Sequence, residues 1–118
     1  MKIMIPVDDD HRSVCVSFAR APYWLIHDSA ADTHEIVENP AATAEGGAGP
    51  MAAQFVLDRE ADAVITVRCG ENAAKVLQAG DVNIYKNEGR DGMENISLLL
   101  EGKLEKLEHF HAGFHGHL

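Results

Sequence analysis

Both cysteines of this chain have an arginine nearby: Cys15 lies a few residues before Arg20, and Cys69 directly follows Arg68. Thiolates are soft ligands that suit copper, zinc and iron–sulfur chemistry, and guanidinium groups hold anions through several donors at once. The first group sits in "VCVSFARAPYW", residues 14–24, which also carries Ser17. The second sits in "RCGEN", residues 68–72, with Gly70 and Asn72. A third stretch, "GGAGP", residues 46–50, brings Gly46, Gly47 and Gly49, whose backbone N–H groups a ligand can approach closely. A pocket for an anion, with Arg12, Arg20 and Arg68 supplying the positive charge, is one reading. The plainer readings stay open: each cysteine a small buried hydrophobe, the glycines a tight turn, Arg20 the partner of a neighbouring carboxylate. The glycine-rich stretch matches neither GxGxxG nor GxxxxGK[ST].

Other constellations are weaker. Asp8, Asp9 and Asp10, with Glu71, suggest a carboxylate metal centre for phosphoester cleavage, and Asp8, Asp10 and Glu71 are the residues such an enzyme would use. Two-metal chemistry needs carboxylates that converge, and three consecutive loop residues cannot all point one way. Ser17, His11 and an aspartate can be drawn as a triad, but no GxSxG supports it. The carboxyl end holds two His-x-His pairs, His109 with His111 and His115 with His117. Imidazoles so spaced can bind copper, nickel or zinc, which allows a divalent-metal chaperone acting through a flexible tail.

Composition narrows the classes. The 118 residues are 46% hydrophobic and 25% charged, ordinary values for one globular domain. A formal net charge of −9 argues against nucleic acid as a partner, and requires that any anion site be built locally from arginines and backbone N–H groups. No apolar run approaches the ~18 residues of a membrane span, and the start lacks a signal-peptide pattern. We expect a complete, cytoplasmic protein with free thiols. The cysteines form neither CxxC nor a four-ligand zinc pattern.

The elements that must position these residues follow from periodicity. "KIMIPV", residues 2–7, reads as a buried strand, with Pro6 placed near its end because proline cannot donate to a central ladder. "PYWLIHD" and "HEIVEN" read as a hairpin. A helix opens at Pro50. "DAVITVRC" reads as a strand covered on both faces, "ENAAKVLQAG" as a helix stopped by Gly80 in the left-handed conformation, "VNIYKNEG" as a strand and turn. A last helix begins near Asp91, with Glu94 at capping-box spacing. The order β-β-β-α-β-α-β-α predicts an α/β domain over residues 1–107, with a flexible His-rich tail over 108–118. Right-handed crossovers predict one mixed sheet of five strands in the order 3-2-1-4-5, flanked by three helices. In such sheets ligands favour the crevice beyond the carboxyl ends of the parallel strands. Residues 8–20, residues 68–72 and the glycine-rich loop all reach that edge.

The order of "MKIMIPVDDD", "VSFARAPYWLIHD", "VENPA", "GGAGPMAAQFV" and "DAVITVRCGENAAKVLQAGDVNIYK", ending in the His-rich segment, resembles the dinitrogenase iron–molybdenum cofactor biosynthesis family. That family includes NifX-like carriers, the carboxy-terminal domain of NifB-like proteins and the small orange protein of sulfate reducers, which carries a molybdenum–copper sulfide cluster. The resemblance implies a ribonuclease-H-like fold without nuclease activity. It implies non-enzymatic binding, storage or delivery of a molybdenum-containing metal–sulfur cluster, of Mo–Cu sulfide or iron–molybdenum type, and a cofactor-assembly or acceptor protein as partner. Residues expected around a non-covalently held cluster are Cys15, Ser17, Arg20, Gly47, Gly49, Arg68, Cys69, Gly70 and Asn72. Family members often read "HFGRAP"; here Ser17 and Ala19 stand at the His and Gly positions, which removes one candidate ligand. Cys69 stands where the family often has an apolar residue.

Overall fold

In the computed structural model, which describes residues 1–112, eight elements follow in the expected order. They are β1 (Lys2–Val7), β2 (Tyr23–Asp28), β3 (Thr33–Glu38), α1 (Ala48–Asp58), β4 (Ala63–Thr66), α2 (Glu71–Ala79), β5 (Asn83–Lys86) and α3 (Gly92–Leu100). They form one five-stranded sheet in the order β3-β2-β1-β4-β5. β1 is antiparallel to β2 and parallel to β4; β4 is parallel to β5.

Each face of the sheet carries its own apolar layer. Met4, Trp24, Ile26, Val64 and Ile84 meet Ala52, Ala53 and Val56 of α1 and Ala73, Ala74 and Leu77 of α2. Ile3, Ile5, Val7, Leu25, Ala63 and Ile65 meet Ile96 and Leu99 of α3. The alternation along β1 (Ile3, Ile5 and Val7 one way, Met4 the other) is the period-2 pattern of a strand covered on both sides.

Pro6 is tolerated inside this central strand because β1 pairs with β4 only at Ile3–Ala63 and Met4–Val64. Beyond that point the chain folds back on itself. Val14 bridges Val7, and the Cys15 N–H donates to the Pro6 carbonyl at 2.8 Å.

Helix α1 starts at Ala48, two residues before the start expected at Pro50. Pro50 therefore sits in the first turn, where its missing N–H still costs no intrahelical bond. Gly47, with φ of 68°, makes the left-handed turn into the helix. α3 begins against residues 8–20. The Gly92 N–H donates to the Arg12 carbonyl at 2.8 Å, and a β-carbon there would lie 2.8 Å from that oxygen.

The carboxyl end departs from expectation. The sequence ends the domain at 107 and reads 108 onward as a flexible tail, but the backbone continues in hydrogen bonds to residue 111. Lys86 N–H donates to Glu105, Leu107 N–H to Ile84, and His111 N–H to Cys69. His115 and His117 lie outside the described residues.

Candidate functional site

The carboxyl ends of β1 and β4 bring residues 8–20 and 67–72 to one edge of the sheet, as the topology requires. The 8–20 loop is pinned from two directions. Phe18 buries edge-on against Trp24, with centroids 5.4 Å apart. On the other side Arg12 pairs with Asp91 and Arg90 with Asp8, each at 2.9 Å, while the Arg90 Nε donates to the Val14 carbonyl.

These pairings decide the fate of the acidic run. Asp8 is held by Arg90. Asp10 turns back on its own loop, accepting from the Arg12 N–H, the Ser13 N–H and the Ser13 hydroxyl. Those bonds, the Ser13 hydroxyl foremost, lower its pKa to about 2. Both carboxylates proposed for a phosphoesterase thus serve loop geometry, and Glu71 lies apart from them at the start of α2. Among the described residues no three His, Cys, Asp or Glu side chains are grouped so as to hold a metal ion.

Helices α1 and α2 start side by side. A β-carbon on Gly49 would lie 3.6 Å from that of Ala73. Both helices have a glycine at the N-cap, Gly47 and Gly70, and neither has a side-chain cap. α3 differs: the Asp91 carboxylate accepts from the Met93 N–H. The first N–H groups of a helix have no intrahelical acceptor, so an uncapped start leaves donors and a partial positive charge facing outward. At α2 one of them is already used, since the Glu71 N–H donates to the His111 carbonyl at 2.9 Å. Asn72 is exposed in the same turn.

Arg20 does not pair with a carboxylate among the described residues. Its guanidinium donates to the carbonyls of Ala44 at 2.7 Å and Ala42 at 3.4 Å, and its N–H donates to the Ser17 hydroxyl oxygen. It ties residues 17–20 to the loop that leads into α1, and brings there a positive charge without an ion pair among the described residues. Arg68 is exposed and likewise has no ion pair among the described residues. Two exposed apolar side chains are Val16, in the 8–20 loop, and Met51, in the first turn of α1.

The thiols differ in setting. Cys69 is fully buried within the α1/α2 layer, where burial pushes its pKa up to about 12. Cys15 is half-buried, and its pKa is raised by burial first and by the Asp8 carboxylate next. Iodoacetamide at pH 8 should therefore label Cys15 well before Cys69, as read by peptide mass mapping. A raised pKa also links Cys69 to stability. The folded state keeps the thiol protonated while the unfolded chain ionises near its ordinary value of 9.0. This contribution is complete below about pH 9 and is lost as pH rises toward 12. The fall in stability over that window should be shallower in Cys69→Ala than in the parent chain, measured by denaturant titration.

Two features at this edge were not legible in the sequence. Trp24 is wholly buried, yet its indole N–H has no acceptor among the described residues. His111 lies on Gly70, where a β-carbon would come within 3.1 Å of its ring.

The family model described as dinitrogenase iron-molybdenum cofactor matches residues 1–102. The chain belongs to this family. Membership places it among proteins concerned with the iron–molybdenum class of metal–sulfur cofactor. It is similar to an uncharacterized protein of Methanocaldococcus jannaschii, 32% identical over 111 residues and 92% of each chain. Among solved structures, the apo orange protein of Desulfovibrio gigas superposes with a TM-score of 0.82 at 25% identity, covering 90% of this chain and 92% of that one. A protein proposed to be NifB from Thermotoga gives 0.77 at 35% identity, covering 92% and 95%. These neighbours share the fold described above.

Proposed function

We propose that this chain binds and carries a molybdenum-containing metal–sulfur cluster, Mo–Cu sulfide or iron–molybdenum in type, as cargo rather than as the centre of an enzyme. The observation that carries the reading is the pair of helix starts at the carboxyl edge of β1 and β4, both capped by glycine and neither by a side chain. A thiometallate is a polarizable anion with sulfides on its outside. N–H donors, guanidinium groups and small apolar walls can hold it without covalent bonds.

The residues present suit such a guest. Arg20 and Arg68 supply charge not offset by an ion pair among the described residues, Gly47 and Gly49 let the backbone come close, and Val16 and Met51 offer apolar contact. The indole N–H of Trp24, without an acceptor among the described residues, lies in the layer beneath. Cys69 is buried, so any direct thiolate bond to the cargo falls to Cys15 or waits on a rearrangement. The handover partner on this reading is a cofactor-assembly or acceptor protein, and the cytoplasm is the compartment. No helix among the described residues is long and apolar enough to cross a membrane.

Apo-protein mixed anaerobically with copper and tetrathiomolybdate, or with an iron–molybdenum cluster precursor, should gain a visible chromophore that survives desalting. A protein left colourless by every candidate would sink the reading. Arg20→Ala should weaken retention by about tenfold, the loss expected for one charge-assisted contact.

A further inference from the structure

We propose that residues 105–111 form a strap that shuts off Cys69 and the start of α2, and that this strap lifts to admit a ligand to the crevice. The regulatory part rests on the cargo reading above; the cover itself does not.

The path of the chain supports this. After α3 the backbone turns at Gly102, with φ of 75°, and Leu104 buries in the α3 layer. Residues 105–107 then pair antiparallel with the free side of β5, through Lys86 to Glu105 and Leu107 to Ile84, both at 2.9 Å. Leu107 and Phe110 next pack, half-buried, on the opposite layer, the one that contains Cys69. The strap therefore passes around the sheet margin from one face to the other.

Its end is seated on the Cys69–Gly70 turn. The His111 N–H donates to the Cys69 carbonyl at 3.2 Å, and the His111 carbonyl accepts from the Glu71 N–H at 2.9 Å. The ring rests where a side chain on residue 70 would stand. The strap carbonyl thus occupies a donor that an incoming anion would use, and lies over the turn whose thiol is wholly buried.

The seat is light. Glu108, His109 and His111 are exposed, and Phe110 is only half-buried. Segments with few buried contacts and solvent-facing backbone bonds open locally at the lowest cost. The arrangement is a cover held firmly along β5 and loosely at its tip.

The test uses the full-length apo chain and the rate of iodoacetamide labelling at Cys69, followed by mass mapping. Phe110→Ala should speed labelling about tenfold, the effect of removing roughly one tenfold step of docking equilibrium, while the circular dichroism stays native. Gly70→Ala, which crowds the His111 ring without touching the core, should act in the same direction. Unchanged Cys69 labelling in both variants, with the fold intact, overturns the cover. Uptake of copper and tetrathiomolybdate separates the two ideas. Faster uptake by Phe110→Ala supports gating; uptake at the parent rate or slower overturns it. If no chain takes up cargo but Cys69 labelling still accelerates, the cover stands and the cargo reading fails.

Discussion

Replacing Trp24 with alanine should remove about 3–5 kcal/mol of folding stability, the range for large aromatic side chains deleted from a packed core. Trp24 is fully buried, edge-on to Phe18, and sits opposite Pro6 of β1 and Val37 of β3. Its loss empties the layer under residues 8–20 and frees Phe18, which anchors that loop. Urea titration followed by far-ultraviolet circular dichroism measures it, since the only tryptophan is gone. A change below about 1.5 kcal/mol would mean that the core refills the space. Trp24→Phe separates packing from polarity. It leaves a smaller void but deletes a buried N–H without an acceptor among the described residues. Burying such a donor costs about 1–3 kcal/mol, so the two effects oppose and the variant should stay within about 1 kcal/mol of the parent.

Asn95→Ala is the second large expected loss, about 2–4 kcal/mol, because one amide serves several backbone groups. Asn95 is wholly buried. Its Nδ2 donates to the carbonyls of Glu88 and Asp91, each at 2.9 Å, and its Oδ1 accepts from the Glu88 N–H at 2.8 Å. Alanine leaves those groups unpaired in a partly buried turn. The effect should travel, since that turn carries Arg90 and Asp91, the partners of Asp8 and Arg12. Faster proteolysis within residues 8–20 should accompany the lower urea midpoint. Asn95→Asp should not rescue, because its carboxylate turns acceptor oxygens toward the Glu88 and Asp91 carbonyls. A parental midpoint in both variants would refute this account.

The sheet order, the two-sided strands and the Asp91 cap were legible because each rests on local chemistry: alternation along Ile3, Met4 and Ile5, a side-chain oxygen before a helix. The left-handed stop expected at Gly80 is corrected: Gly80 does end α2, but with φ of −95°, and the left-handed residue is Asp81, with φ of 62°. Glycine is needed at position 80 for space instead, since a β-carbon there would collide with Leu57. That residues 8–20 and 68–72 follow the carboxyl ends of β1 and β4 was legible too, since crossover handedness makes those strands parallel. What the side chains do at that edge was not. Arg20 spends its donors on the carbonyls of Ala42 and Ala44, a long-range closure that no spacing encodes. The inward position of Cys69 follows from its place in the α1/α2 layer; its neighbours in sequence, Arg68 and Gly70, resemble those of an exposed ligand equally well. The seat of His111 on Gly70 was hidden because "HFHAGFHGHL" has no periodicity, only single residues that fit surfaces made elsewhere.

The pairing of residues 105–107 with β5 also bears on how copies of this protein meet. An uncovered outer strand invites a neighbour's backbone to add to it. Here that margin is filled from within, and β3 forms the opposite rim with His34, Glu35 and Glu38 along it. Shortening the chain to remove residues 105–111 would therefore expose β5 and favour strand-to-strand aggregation. Colloidal behaviour, as much as ligand binding, would register the loss of this segment.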